Sequence, residues 1–461
     1  MTALWEASEV LAATCGRGPG GWCAGGVSID SRSLAAGDLF VALRGPRHDG
    51  HAFLADAFAR GAVAALVAGE REAPGPLVAV DDTQRGLEAL ARAARVRSRA
   101  RILALTGSVG KTGTKEALRR VLAAQAPTHA SAASHNNHWG VPLSLARLPR
   151  DAAFGVFEIG MNHAGEIREL VPLVRPHVVL VTWVAGAHLA YFPDERAIAE
   201  AKAEIFEAGE PPECAVLPAD NPHLALLAAR ARVAGVPRIV TFGAGADADW
   251  RLLEADCGAE ASRVLATRGG RSIEFTVGLP GRHWVTNALA VLAAAEALGA
   301  DPAKAAESLA GLEALPGRGR RVRLPLSGGS FLLLDESYNA NPASMRAAIA
   351  LLGLMPGRRL AALGDMAELG EDAPRLHAEL AAPLTEAGVA SVFTCGPLMA
   401  RLRDALPPER HGGHAEEPAE LGRLLRARLR PGDVLLVKGS LASGMGSIVK
   451  ELEAAAAEGS L

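Results

Sequence analysis

Residues 103–116 read LALTGSVGKTGTKE. A lysine and a hydroxyl residue reached through glycines make a phosphate-binding combination. Glycines let backbone N–H groups close on the anion, the lysine neutralises it, and the hydroxyl takes a Mg²⁺ ion. Gly107, Ser108, Gly110, Lys111 and Thr112 supply these parts. The common spacing, G-x-x-x-x-G-K-[ST], puts its first glycine at position 105, where this chain has Leu105. The loop is therefore a shortened one. Apolar residues before it, and the stripe Leu118, Val121, Leu122 after it, place it between a strand and a helix. Free N–H groups and the helix dipole would then both point at an anion. A glycine-rich turn with a lysine at a helix start is the competing reading.

Other polar residues fall just past apolar runs. Glu158 in FEIGMNHAGEI and His188 in WVAGAHL each follow a strand-like segment. A carboxylate supplies oxygen to a hard cation. Taken singly, Glu158 reads equally as a cap or ion-pair partner, and His188 as a structural histidine. With Thr112, past the strand ends of one sheet, they form a candidate metal site. Lys202, inside the charged helix ERAIAEAKAEIFEAG, reads by itself as a solvated lysine. Asp335 ends the run FLLLDE and has the chemistry to accept ribose hydroxyls. Asn339 and Asn341 in SYNANPASM carry donors and acceptors suited to a base edge. A turn before a helix favours the same residues.

The elements that must position these groups alternate. Strand-like runs (RILAL, FGVFEIG, HVVLVTWV, CAVLPAD, RIVTFG) are separated by helical ones, the pattern of parallel sheets covered by helices. A second such rhythm runs through FLLLDES, LAALGDM, SVFTCG and VLLVKGS, where ligands would sit beyond the carboxyl ends of the strands. The chain has 461 residues, room for about three domains. Breaks after ARAARVRSRA and at ALPGRGRRVRL set the expected units at 1–98, 99–315 and 316–461. A net charge of −3 argues against a nucleic-acid partner. The five cysteines are scattered without a C-x-x-C pair, which fits a reducing cytoplasm. The first residues read as a short helix rather than a secretion signal, and no apolar run is long enough to span a membrane.

Taken in order, SIDSRSLAAGDLFVALRG, TGSVGKTGTKE, NNHWGVPLSL, EIGMNHAGEI, AKAEIF, GRHWVTNALA, DESYNANPASMRAAI, LGDMAELG and VKGS resemble the motifs of the Mur ligases, the ATP-dependent amino-acid and peptide ligases of cell-wall synthesis. Their phosphate loop is the shortened form. SYNANP with GDM-ELG resembles the members that join D-alanyl-D-alanine to UDP-N-acetylmuramoyl-tripeptide through an acyl phosphate. The resemblance implies three α/β domains: an N-terminal uridine-nucleotide domain, a central P-loop ATPase domain and a C-terminal Rossmann-like domain. It implies ATP and two Mg²⁺ ions, with Lys111 on the phosphates, Thr112 and Glu158 on Mg²⁺, and His188 on the second ion. Lys202 would be carbamylated and become an anionic metal ligand. Asn287 would contact adenine, and Arg318 would reach the γ-phosphate. Asp335 would hold the ribose, with Asn339 and Asn341 nearby. Ser31 and Arg32 would seat the uridine nucleotide, and Asn136 and Asn137 would face the muramoyl peptide. A monomer in the cytoplasm is expected. Two residues depart from the family pattern: Trp284 stands where Asn is frequent, and Leu441 where Arg is common. A sister ligase, or a folylpolyglutamate-type ligase with the same central domain, is the near alternative, although DSRSLAAGDLF favours a uridine-linked substrate. A P-loop switch ATPase is the distant one.

Overall fold

Runs such as ILALT and VVLV are apolar on both faces, as strands covered by helices on both sides must be. In the computed structural model, which describes residues 3–46, 48–132 and 135–459, these runs are buried parallel strands. Among the described residues the strands form three large sheets and one small antiparallel pair, Trp5–Glu6 with Cys23–Ala24. The first sheet is parallel, in the order Gly26–Ser28, Asp38–Val41, Ala64–Ala68, Leu77–Val80.

The second sheet has nine strands. Arg101–Thr106, which carries the phosphate loop, lies between Phe154–Glu158 and Val178–Val181, parallel to both. Three strands that end in candidate chemistry are thus neighbours. Cys214–Pro218, Ile239–Gly243 and Trp250–Cys257 continue the parallel order. Ser262–Arg268 and Arg271–Val277 close the sheet as an antiparallel edge. The helix Arg282–Ala297, rich in alanine and leucine, is buried along most of its length in the core on one face. A separate core fills the other face.

The third sheet runs Arg320–Leu326, Gly329–Glu336, Asp433–Lys438, Arg358–Gly364, Ser391–Cys395, His411–Ala415. Its first pair is antiparallel and the rest parallel. The segment around RRVRL, expected only to interrupt the pattern, is a full edge strand whose arginines alternate with apolar residues. Antiparallel edges tolerate one wetted face, and this one carries charge on it. All five cysteines are free thiols. Among the described residues no helix is long and apolar enough to cross a membrane.

Candidate active site

The strand Arg101–Thr106 continues through Leu105, fully buried where a longer loop would begin, so the turn is confined to residues 107–110. Gly107 is obligatory there: a Cβ would stand 1.9 Å from the Thr182 hydroxyl oxygen. Gly110 caps the next helix, Lys111–Ala123, in the left-handed region at φ +82°. The loop is stapled to the neighbouring strand end. Ser108 Oγ donates to the Ala185 carbonyl at 2.9 Å, its N–H donates to Trp183 at 2.7 Å, and Thr182 Oγ1 donates to Val109 at 2.6 Å. Lys111 Nζ folds back onto the Gly107 carbonyl at 2.7 Å. Burial lowers its pKa, Glu158 opposes that, and Arg318 from the third sheet's unit adds to it.

Glu158 is 1% exposed at the end of its strand. Its carboxylate accepts from Thr112 Oγ1 at 2.9 Å and from Asn136 Nδ2 at 2.7 Å. It forms no ion pair among the described residues. A buried carboxylate held only by neutral donors, beside the loop hydroxyl, suits a hard cation with oxygen ligands. The resemblance put Asn136 and Asn137 on the muramoyl-peptide side. In the structure Asn136 binds Glu158, while Asn137 Oδ1 accepts from the N–H groups of Trp139 and Gly140 at the start of the helix Gly140–Ala146. Asn137 is a cap, since the first N–H groups of a helix need acceptors from outside it.

His188 lies past the end of Val178–Val181 and lines the same cleft. Burial depresses its pKa; Glu368 pulls it up, and the nearby Lys111 and Lys202 push it down. Lys202 is not a surface lysine. It is 1% exposed, on the inner face of the helix Glu195–Ala203, and has no hydrogen bond or ion pair among the described residues. Burial first, and then the charge of Lys111, push its pKa well below the usual lysine value. Its neighbour Glu204, which sequence reasoning passed over, accepts from Gly165 N–H at 2.8 Å and Arg168 N–H at 3.2 Å. It thereby caps the helix Glu166–Val174 and ties the loop after Glu158 to the Lys202 helix.

Arg318 reaches the cleft from the third unit, its guanidinium 3.8 Å above the Tyr338 ring. The expected ribose ligand Asp335 does not line the cleft. It is 3% exposed, and its carboxylate accepts from Gly317 N–H at 2.8 Å and Ser337 Oγ at 2.6 Å. It holds the Arg318 loop. The next residue, Glu336, is the one that faces the cleft, because successive residues of a strand point to opposite faces. Lys438 lies 3.5 Å from Glu336 and donates to the Asn339 carbonyl at 2.9 Å. Burial pushes the Glu336 carboxyl up and the Lys438 ammonium down, and each partly offsets the other. Asn339 and Asn341 both line the cleft. The Asn341 side chain is spent as the cap of the helix Pro342–Leu354, accepting from Ser344 N–H at 2.9 Å.

One cavity of about 550 Å³ lies between the second and third units, with Lys202, Glu204 and Asp335 behind its lining. Lys111, Thr112, Glu158, His188 and Asn287 line one side; Arg318, Glu336, Asn339 and Lys438 line the other. The volume suits a nucleotide-sized ligand. Asn287 lies against Gly110, 3.0 Å from where a Cβ would sit. Trp284 also lines the cavity and covers Gly113, where a Cβ would come within 2.8 Å of its ring. Leu441 is 68% exposed and outside it. Ser31 and Arg32 are outside it too, in the first unit; Ser31 is buried, and Arg32 pairs with Asp30 at 2.7 Å.

Comparison with known proteins agrees with this arrangement. Residues 24–107 match the model described as Mur ligase family, catalytic domain, residues 105–295 the Mur ligase middle domain, and residues 317–441 the Mur ligase, glutamate ligase domain. The UDP-N-acetylmuramoyl-tripeptide–D-alanyl-D-alanine ligase of Escherichia coli (strain K12) is 35% identical, over 93% of this chain and 93% of its own. MurF from Acinetobacter baumannii superposes with a TM-score of 0.85 at 28% identity, covering 98% of this chain and 99% of that one. MurF ligase from Thermotoga maritima, solved in complex with ADP, gives 0.77 at 26%, covering 94% and 98%. With three family domains in order and relatives matched along nearly the whole length, the chain belongs to the Mur ligase family.

Proposed function

We infer that the chain joins D-alanyl-D-alanine to UDP-N-acetylmuramoyl-tripeptide at the expense of ATP, giving the pentapeptide precursor of peptidoglycan. The observation that carries this reading is the single cavity in which the phosphate loop and Glu158 of one unit face Arg318 and Glu336 of another. The near full-length likeness to ligases of that name supports the choice of substrates. ATP lies with its phosphates on residues 107–112. The terminal carboxylate of the tripeptide attacks the γ-phosphorus, ADP leaves, and an acyl phosphate remains. The amine of the dipeptide then attacks the acyl carbon and phosphate departs. Lys111 and Arg318 stabilise charge on the transferring phosphoryl group. Bound Mg²⁺ offsets the repulsion between the carboxylate and ATP; Thr112 and Glu158 would hold one ion, His188 and a carbamylated Lys202 the other. Carbamylation needs a neutral amine, which adds to CO₂ and releases a proton. Burial and the charge of Lys111 shift Lys202 toward that form. Glu336, rather than Asp335, is the carboxylate placed to meet ribose hydroxyls. Ser31 and Arg32 serve the uridine nucleotide from the first unit. The enzyme acts as a cytoplasmic monomer built of units 1–98, 99–315 and 316–461.

The test is phosphate release with a panel of uridine-linked peptides and amines, with the product identified by mass. Release that requires both UDP-N-acetylmuramoyl-tripeptide and D-alanyl-D-alanine is expected. Hydrolysis independent of the dipeptide would point to a switch ATPase, and another preferred amine to a sister ligase. Lys111→Ala should keep its circular dichroism and lose roughly 10³-fold or more in turnover.

A further inference from the structure

Four residues other than glycine have positive φ among the described residues: Cys15, Arg175, His188 and Glu368. Two of them meet. His188 (φ +63°) and Glu368 (φ +63°) come from different units, and His188 Nδ1 donates to Glu368 Oε2 at 2.5 Å. The backbone joins the same contact: Ala190 N–H donates to the Glu368 carbonyl at 3.0 Å. A Cβ on Gly370 would stand 3.3 Å from the Leu189 carbonyl oxygen. Leu189 itself packs against the cores of both units. Strained backbone persists where surrounding structure holds it for a purpose.

Stability is a poor candidate for that purpose. The Glu368 side chain is 37% exposed and that of His188 20%. A pair this open to water contributes at most about 1 kcal/mol. Orientation is a better one. With Nδ1–H committed to a carboxylate, Nε2 carries the lone pair, and the ring is fixed where it lines the cleft. Glu368 does not line the cleft itself.

We propose that Glu368 is a positioning residue for His188. Reaching across from the third unit, it fixes the tautomer and direction of the imidazole, so the cation site is complete only when the third unit is docked. The proposal rests on the reading that His188 serves a cation. It adds to that reading the group that makes His188 competent, and it couples closure to metal binding.

Direct binding of Mn²⁺, a paramagnetic probe for Mg²⁺, tests it without turnover. The full-length protein is titrated with a non-hydrolysable ATP analogue present, and free Mn²⁺ is read by electron paramagnetic resonance. Glu368→Ala should weaken binding about 10- to 100-fold, the usual effect of losing a partner that orients a metal-binding histidine. Glu368→Gln, whose amide oxygen still accepts from Nδ1–H, should stay near the parent protein. Glu368→Asp, one methylene short, should behave like Ala, and it keeps the test decisive should the Ala variant fold poorly. His188→Ala should weaken binding at least as much, and adding Glu368→Ala to it should change nothing further. In kinetics, kcat should fall while the KM for ATP holds. Parent-like Mn²⁺ binding by Glu368→Ala, with weakened binding by His188→Ala, overturns the proposal and leaves the cation role of His188 standing. Loss in the Gln variant with retention in the Asp variant also overturns it, because charge rather than position would then matter. Parent-like binding by His188→Ala removes the underlying reading and the proposal with it.

Discussion

At the scale of single residues, Lys202 and Asp335 are two buried charged groups with different work. Lys202 has no hydrogen bond or ion pair among the described residues, and burial, then the charge of Lys111, push its pKa down. Lys202→Ala should be nearly inactive in bicarbonate-free buffer and partly rescued by a short-chain carboxylate that supplies the missing oxygens. Full activity of that variant would make Lys202 a packing residue only. Asp335 is fully engaged by Gly317 and Ser337. Asp335→Ala should therefore cost about 1–3 kcal/mol of stability in urea unfolding, the range for stranding buried donors, and lower kcat through a loosened Arg318 loop. Unchanged stability with a raised KM for ATP would return Asp335 to the ribose. The sequence made both residues visible, but not that the Asp335 carboxylate turns to Gly317 and Ser337 while Glu336 lines the cleft. FLLLDE is apolar before its two acids, so no alternation marks which face meets the cleft, and a shift of one residue exchanges the faces. Burial of Lys202 was equally hidden, because the helix around it is rich in charge.

Among the elements, those that carry the phosphate loop were legible. A wholly apolar strand, a glycine turn and an amphipathic helix each have their own local signal, and they occupy Arg101–Thr106, residues 107–110 and Lys111–Ala123. Trp250–Cys257 and Ser262–Arg268, near one end of the second sheet, and the edge strand Arg320–Leu326 were not. Each mixes charge with apolar residues because one face is wet, which a search for continuous apolar runs passes over. Caps supplied from a distance are equally invisible, since nothing in the local sequence of a helix records an acceptor from another segment. Glu204 is such a cap for Glu166–Val174. Glu204→Ala should cost roughly 1 kcal/mol and speed hydrogen exchange at the Gly165 and Arg168 amides. Unchanged exchange there would show that the helix start is held by something else.

The whole molecule divides its chemistry between units. Lys111 and Glu158 stand on the second sheet's side of the cleft and Arg318 and Glu336 on the third's, so neither unit alone holds the site. Such a division excludes water when the units meet and protects a reactive intermediate. The identity of that intermediate is the centre of the account. The most direct measurement uses UDP-N-acetylmuramoyl-tripeptide labelled with ¹⁸O in its terminal carboxylate, together with ATP, Mg²⁺ and D-alanyl-D-alanine. If the carboxylate attacks the γ-phosphorus and the amine then displaces phosphate, one ¹⁸O must appear in inorganic phosphate for each amide bond formed. Label in AMP, or ligation that leaves the phosphate unlabelled, would contradict it.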